Sequence, residues 1–545
     1  MIQPLLLFFS VTGSRLLVKY FIVSTFNSTN NSKNKKKILI YGAGNAGRQL
    51  LTSLESNTEL EVVGFLDDDV RLHNQVMLGQ TVFSPTRLDN LINLKNVNIV
   101  LLALPSISRN SRKKIIEKLN NHKLIVKTLP RVQDVVDGKV SVSDIRDLDI
   151  ADLLSRDEVA PNYNLLNKNI NSRVVLVTGA GGSIGSELCH QIVKHSPKKL
   201  LLLELNEFGL YKIFEELKNL SNRIEIIPLI CNIQDKSKIN QIFKTFNVET
   251  VYHAAAYKHV PLVEENISEG VQNNVFGTFV VAQAAIEQSV SNFVLISSDK
   301  AVRPTNIMGA TKRLAELCVQ ALYENEKNKF SKFSIVRFGN VLQSSGSVIP
   351  KFKKQIEEGG PVTLTHPEVT RYFMTTKEAA QLVIQAGAMS QNCEVFVLDM
   401  GKSVKIKDLI YQMIINSGLT VKDVDNSEGD IEIKVIGLRP GEKLYEELLI
   451  GDNPQKTNHE KIKKAQDNFI PFNDLKLDLD TLRDLLLSNK AIEIKNMLKK
   501  LVYTYKSETK IVDHLYLEQL PFKKENKSPK ILEREGNKII KINTK

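Results

Sequence analysis

Tryptophan is absent from the 545 residues, and there are only four cysteines. Cys189, Cys231, Cys318 and Cys393 lie far apart, with no CxxC pair. Neither a disulfide framework nor a zinc module has its ligands, so the thiols read as buried and reduced in a cytosolic setting. Long apolar runs are missing too. Met1–Phe9 and Leu16–Phe26 are apolar, but Arg15 and Lys19 interrupt them, and neither run approaches the ~20 residues that span a bilayer. A cleavable signal is disfavoured, because charge follows the apolar run instead of preceding it. The segment reads either as the stump of a membrane segment with an interfacial helix, or as a loosely held terminus. Acid is missing from the first 37 residues, which carry six basic side chains. Of the net +12, six lie there and four in residues 506–545, so the residues between carry +2. A nearly neutral globular part offers no basic field for nucleic acid. The basic end suits an anionic membrane surface instead.

What is present describes a soluble α/β chain. Its 42% hydrophobic and 25% charged residues exclude global disorder, and its length allows two or three domains with separate cores. Lys37–Tyr41 is a short apolar strand, and Gly42-Ala43-Gly44-Asn45-Ala46-Gly47 then opens a helix, a GxGxxG in strand–turn–helix context. The next strand, Leu60–Leu66, ends at Asp67, an acid able to accept from a ribose hydroxyl. Close helix packing explains Gly42, Gly44 and Gly47 as well as a bound nucleotide does. No catalytic pair accompanies this turn, so residues 37–150 read as a Rossmann-like domain that binds or regulates.

The second glycine turn is the stronger signal. After the strand Arg173–Val177 comes Thr178-Gly179-Ala180-Gly181-Gly182-Ser183-Ile184-Gly185, a TGxxGxxG. Gly179, Gly182 and Gly185 let the backbone approach a pyrophosphate, and the helix starting near Ser183 and Ile184 aims its N–H groups there. The strand Lys199–Leu203 ends at Glu204. An acid there suits the ribose hydroxyls of NAD and repels the 2′-phosphate of NADP; a solvated strand-end charge is the plainer explanation. Asn232 follows the third strand near where adenine would lie, and Ala254 and Ala255 are small where the cofactor passes. Strands alternating with helices predict a parallel, doubly wound sheet. The fold expected is therefore α/β, with two Rossmann-like sheets in series and a small C-terminal substrate-binding subdomain on the second.

The strand Asn292–Ser297 ends in Ser297-Ser298-Asp299-Lys300-Ala301, followed by Met308-Gly309-Ala310-Thr311-Lys312. This is the layout of a short-chain dehydrogenase site with Met308 where the usual tyrosine stands, four residues before Lys312. With Arg337-Phe338-Gly339-Asn340-Val341-Leu342, Gly346-Ser347-Val348-Ile349-Pro350, Thr370-Arg371-Tyr372-Phe373-Met374 and Arg439-Pro440-Gly441-Glu442-Lys443-Leu444, the chain resembles the extended short-chain dehydrogenase/reductase superfamily. More narrowly, it resembles the large UDP-N-acetylglucosamine 4,6-dehydratases of capsule, O-antigen and bacillosamine-type biosynthesis, over about residues 10–500. Full-length members begin with several transmembrane helices, of which only the last end matches here. The resemblance therefore implies a truncated or lost anchor and a place at the cytoplasmic face of the membrane, or in the cytoplasm.

The resemblance also implies NAD, a UDP-sugar substrate, a homo-oligomer and specific roles. C4 is oxidised, water leaves across C5 and C6, and C6 is then reduced, with C5 configuration kept in the methionine variant. Asp299 is the acid to O6, Lys300 the C5 base and Ser298 a hydrogen-bond partner near O4. Lys312 holds the nicotinamide ribose. An amine is a base only when neutral, so burial is expected to lower the pKa of Lys300. Lys258, Asn340, Ser347 and Val348 line the substrate; Arg371 and Arg439 meet the diphosphate, and Glu442 binds a ribose hydroxyl or fixes Arg439. An ordinary helix start is the plainer reading of Arg439–Glu442. Expected boundaries are 1–36 for the N-terminal segment, 37–150 and 170–455 for the two folds, 456–505 for C-terminal helices and 506–545 for a charged tail. No metal site is expected. Two other functions fit: a UDP-sugar 4-epimerase, disfavoured by Met308, and a nucleotide sensor without chemistry, disfavoured by Asp299 and Lys300.

Overall fold

The computed structural model describes residues 35–119 apart from 56 and 58, then 122, 124–129, 146–147, 160–220, 224–325, 331–342, 344, 346–424, 426–449, 454–507 and 510–519. The apolar segment 1–34 and the tail 520–545 lie outside the described residues.

Two sheets carry the chain. The first is built from β1 (Lys36–Tyr41), β2 (Leu60–Leu66), β3 (Val76–Met77), β4 (Gln80–Phe83), β5 (Ile99–Leu102), β6 (Ile125–Thr128) and β7 (Arg146–Asp147), in the order β3-β4-β2-β1-β5-β6-β7. Its central strands are parallel, and the short edge strands β3 and β7 are antiparallel to their neighbours. Ile38, Leu39 and Ile40 are fully buried because this central strand is covered on both faces. The helix α1 (Asn45–Leu54) follows the Gly42 turn and buries Leu50, Leu51 and Leu54.

The second sheet has nine strands. In chain order they are β8 (Val174–Thr178), β9 (Lys199–Glu204), β10 (Glu225–Ile230), β11 (Thr250–His253), β12 (Asn292–Ile296), β13 (Lys332–Arg337), β14 (Cys393–Leu398), β15 (Gln455–Lys456) and β16 (Ile462–Ala465). Their spatial order is β10-β9-β8-β11-β12-β13-β14-β16-β15. Seven are parallel, and β16 and β15 extend the edge antiparallel, so the sheet continues past residue 455. The strand order reverses between β8 and β11, and ligands of such sheets bind in the crevice beyond the strand ends there.

A smaller layer sits beyond those ends. The helices Val348–Glu357 and Ile406–Asn416 and the strands Val362–Leu364 and Ile431–Val435 share a core of Phe352, Val362, Ile410 and Ile431. Two more helices, Phe472–Leu487 and Ala491–Leu501, press Leu475, Leu482, Ile494 and Leu498 onto Ile307, Leu314 and Cys318. Leu477, on the first of these helices, faces solvent at 73% exposure. Among the described residues no helix is long and apolar enough to cross a membrane.

Candidate active site

A cleft of about 1370 Å³ opens beyond the ends of β8, β11 and β12, walled by the smaller layer. At one end is the second glycine turn. Gly179 has φ +66°, and a Cβ there would lie 2.7 Å from the Ala255 backbone, so glycine is required for both conformation and space. Gly182 precedes α2 (Ser183–Val193), and no side chain caps this helix N-terminus. This helix N-terminus borders the cleft, the arrangement that receives a phosphate. Gly179, Gly182, Ser183, Ile184, Gly185 and Ala254 all line the cleft. These residues fit a dinucleotide: a tight turn with no room for a Cβ at Gly179 or Gly185, and a helix N-terminus beside it at the cleft.

Other expected cofactor residues stand behind this wall. Glu204 accepts from the amides of Gly181 (3.0 Å), Leu205 (2.9 Å) and Asn206 (3.0 Å), so its carboxylate braces the glycine turn. Thr178 is bonded to the buried His253, whose Nδ1 lies 2.7 Å from the Thr178 hydroxyl. Burial and the nearby Lys312 press His253 down to about 3, so this ring is neutral. Asn232 accepts from the Gln234 amide (3.0 Å) and shapes its own turn. The first sheet repeats the bracing arrangement, since Asp67 accepts from the amides of Ala43 (2.8 Å) and Asp69 (2.9 Å). Gly42 there has φ +110°, and a Cβ on Gly47 would meet the Gly42 carbonyl, whereas one on Gly44 would meet nothing. The first and third glycines of that turn are thus held by packing and conformation.

At the other end, β12 stops and the chain makes a single tight turn through Asp299–Ala301, with Ser298 capping it by accepting from the Lys300 amide (3.2 Å). Asp299 is 1% exposed, and its Oδ1 receives the Ser298 hydroxyl (2.9 Å) and the Lys300 ammonium (3.0 Å). Lys300 also donates to Asn340 Oδ1 at 3.2 Å. A third charged group stands here that the sequence motifs did not single out: Glu446, whose Oε1 is 3.4 Å from Lys300 Nζ. It arrives from an irregular segment far along the chain, so no local spacing announces it. Burial opposes the charge on Lys300, but the carboxylates of Asp299 and Glu446 outweigh it and hold the ammonium above its ordinary range. The expectation that burial lowers this pKa is thereby corrected: the carboxyl groups of Asp299 and Glu446 both lie against the amine, whose side chain is only partly buried.

The helix α3 (Ile307–Asn325) presents Met308 and Lys312 to the cleft. Its start is pinned twice, by Asn306 accepting from the Gly309 amide (2.8 Å) and by buried Glu264 accepting from the Ile307 amide (2.6 Å). Met308 is 3% exposed and packs into the apolar core beside α3. Lys312 donates to the Ile296 carbonyl at 2.7 Å. Burial lowers its pKa to about 8, with Glu316 pulling the other way.

Lys258, Asn340, Ser347, Val348, Arg371, Arg439 and Glu442 line the remaining wall. Arg371 is committed within that wall: it pairs with Glu442 (3.0 Å), lies 3.9 Å from Glu446 and donates to the carbonyls of Thr370 and Leu444. Glu442 accepts the Arg439 amide (3.2 Å) and the Thr365 hydroxyl (3.1 Å), so its side chain fixes Arg371 and not the Arg439 guanidinium. Residues 439–442 form no helix; Gly441 has φ +75° and is bound through its carbonyl to Thr305 and Asn306. Lys258, Lys351 and Arg439 line the cleft without a carboxylate partner among the described residues. Lys351 is another group the sequence reading missed. Its pKa is lowered by burial and by the charge of Arg439.

Comparison with known proteins adds a lineage to this geometry. Residues 175–467 match the model of a family described as "Polysaccharide biosynthesis protein", and residues 34–123 match one described as "C2185-like, N-terminal". The capsular polysaccharide biosynthesis protein CapD of Staphylococcus aureus is 42% identical over 502 residues, 89% of this chain and 80% of the relative's length. A UDP-N-acetylglucosamine 4,6-dehydratase (inverting) of Campylobacter jejuni is 30% identical over 292 residues, 53% of this chain and 80% of its own. A UDP-glucose 4-epimerase of Rickettsia rickettsii is 30% identical over 290 residues, 52% of this chain and 80% of its own. The X-ray structure of Pen from Bacillus thuringiensis is 32% identical, with a TM-score of 0.50, covering 57% of this chain and 98% of that one.

Proposed function

The chain belongs to the polysaccharide biosynthesis protein family, among relatives that include nucleotide-sugar dehydratases and epimerases, and from that premise we propose that it is a UDP-N-acetylhexosamine 4,6-dehydratase. UDP-N-acetylglucosamine is the proposed substrate and NAD the proposed cofactor. The observation that carries this reading is the Asp299–Lys300 pair, with Asp299 buried, Lys300 lining the cleft and Met308 in place of a tyrosine. Dehydration needs a base at C5 and an acid at O6, and this turn supplies one amine and one carboxyl in contact. A bound nicotinamide would supply a reversible electron-pair acceptor, so that C4 becomes a ketone and the C5 proton becomes acidic.

The rest falls to the chain. Gly179, Gly182 and the first amides of α2 receive the dinucleotide phosphates, and Lys312 holds the nicotinamide end. Lys258, Lys351 and Arg439 receive the sugar-nucleotide diphosphate, since their charges are uncommitted. Lys300 takes the proton from C5. The electron pair left on carbon forms the C5–C6 double bond as the C6–O6 bond breaks, and Asp299 protonates the departing oxygen, releasing water. C6 would then regain the hydride removed from C4, and Lys300 returns a proton to C5, so the cofactor ends unreduced. Ser298 holds Asp299 and O4 in register. Retention at C5 is part of the proposal, following the resemblance that attaches it to methionine at this position. The product serves surface-glycan synthesis, at or near the cytoplasmic membrane face.

The 4-epimerase is the second reading, favoured by the Rickettsia relative at the same identity as the dehydratase. The decisive experiment incubates the purified chain with UDP-N-acetylglucosamine and NAD and weighs the nucleotide sugar by mass spectrometry. A product lighter by one water, without net cofactor reduction, is expected, and NMR of that product reads C5. Unchanged mass with a new C4 epimer would establish the epimerase, and an unaltered sugar would end both readings for this substrate.

A further inference from the structure

Two buried carboxylates around one ammonium call for an account. Asp299 and Glu446 each keep one oxygen, Oδ2 and Oε2 respectively, buried and without a protein partner among the described residues. The charged groups that face Lys300 are Asp299 on its own turn, Glu446 from the 439–449 segment and Arg371 from the strand Thr370–Arg371. Arg371 is itself held by Glu442. If all five groups are ionised, this pocket carries three negative and two positive charges, an excess of one anion in a largely enclosed place.

The dehydration proposed above sets a strict requirement on this pocket, and the present inference rests on that reading. The acid must hold a proton while the base holds none, so the Asp299–Lys300 pair must carry one proton between them. With none, no group protonates O6; with two, no group takes the C5 proton. The resting arrangement, ammonium beside carboxylate, has that one proton on Nζ, and the 3.0 Å hydrogen bond is the path by which it reaches Asp299. After elimination the C5 proton sits on Nζ and Asp299 is a carboxylate; Nζ gives that proton back to C5 when C6 is reduced, and the proton released as the C4 hydroxyl became a ketone restores the single proton of the pair.

We propose that Glu446 is the positioning residue that keeps this single proton on the Asp299–Lys300 pair. Its carboxylate fixes the amine beside Asp299 and Asn340, and its negative charge opposes loss of the proton to solvent. Asp299 and Glu446 both stand behind Lys300 and outside the cleft lining; Asp299 is joined to the cleft-lining Ser298 hydroxyl, whereas Glu446 meets Lys300 and Arg371 and acts through Lys300. Without its charge, the pair would give up its proton at lower pH, and the site would lose its acid.

Glu446→Gln keeps the shape and removes the charge. Two readouts are compared in the full chain. The first is the pH dependence of Lys300 labelling by an amine-specific dinitrophenylating reagent, mapped by peptide mass spectrometry; it requires no turnover. The midpoint in the variant is expected to fall by roughly one pH unit or more, as removal of a unit charge at this separation implies. The second is the alkaline limb of the pH–kcat profile, a property of the coupled pair. It is expected to fall by a similar interval with KM little changed, whereas Glu446→Asp is expected to restore it. Unchanged midpoints in both readouts would overturn the proposal. So would wild-type labelling of Lys300 at or below the pH of an ordinary lysine, which keeps the test sharp should the variants fold poorly. Absence of dehydration by the wild type would instead sink the proposed function, and the labelling would still report on Glu446.

Discussion

Glu316 shows how one residue can hold the catalytic strand end without touching the cleft. Fully buried on α3, it accepts from Ser297 at the end of β12, from Arg337 on β13 and from Arg313 on its own helix. Arg313 and Arg337 also meet Asp467. Burial alone would raise the Glu316 carboxyl, but Arg337 and Arg313 prevail and hold it at about 2. Its folded-state pKa is therefore depressed, so its stabilisation is complete above the unfolded value near ~4.3 and is lost as pH falls through about 2. Glu316→Gln is expected to cost about 3–5 kcal/mol in urea unfolding at neutral pH, because two guanidinium groups lose a buried anion. It should also flatten the acid limb of stability against pH. A loss below ~1 kcal/mol would mean that Asp467 alone suffices. Little in the sequence around Glu316 suggests this role, since Arg313 is local but Ser297 and Arg337 come from the ends of two strands. Lys312, one turn earlier on α3, was legible from its spacing to Met308; its bond to the Ile296 carbonyl was not.

Elements were legible where a local pattern dictates them. The β-branched run before Thr178 and the glycines after it yield strand, turn and helix because the turn needs φ > 0 at Gly179 and no Cβ against Ala255. Gly179→Ala is expected to weaken binding of NAD at least about tenfold and to destabilise the protein by about 1–3 kcal/mol, from strain and overpacking together. Titration calorimetry with NAD and thermal unfolding measure the two effects, and unaltered affinity would show that the turn does not receive the dinucleotide. Less legible was the segment after Arg439. Proline, glycine and an acid there read equally as a helix start, but the Gly441 carbonyl is tied to Thr305 and Asn306, and the chain stays irregular. That irregular path is what carries Glu446 under Lys300 and turns Glu442 onto Arg371. The helix 272–277 is similarly irregular, wound with i→i+5 bonds, and Asn274 uses it to bind both backbone groups of Tyr257 beside the cleft. Periodicity announces the helix and not the extra residue in its turn.

At the scale of the whole molecule, the two sheets keep separate cores, one around Leu39, Ile40 and Val100, the other around Val175, Leu200 and Phe293. Differential scanning calorimetry is expected to show two transitions. NAD should raise the one belonging to the second sheet by mass action. If it raises both, the Gly42 turn is a second nucleotide site; a single transition would mean that the units unfold together. The sequence by itself determined the two parallel sheets, the two glycine turns and the Asp299–Lys300 pair, because each follows from alternation, backbone conformation or adjacency within a few residues. Only the tertiary structure decided the charge state around that pair, the commitment of Arg371 and the uncommitted charges of Lys258, Lys351 and Arg439. Electrostatics acts through space, and the residues that set it arrive from segments far apart in the chain, where no sequence period connects them.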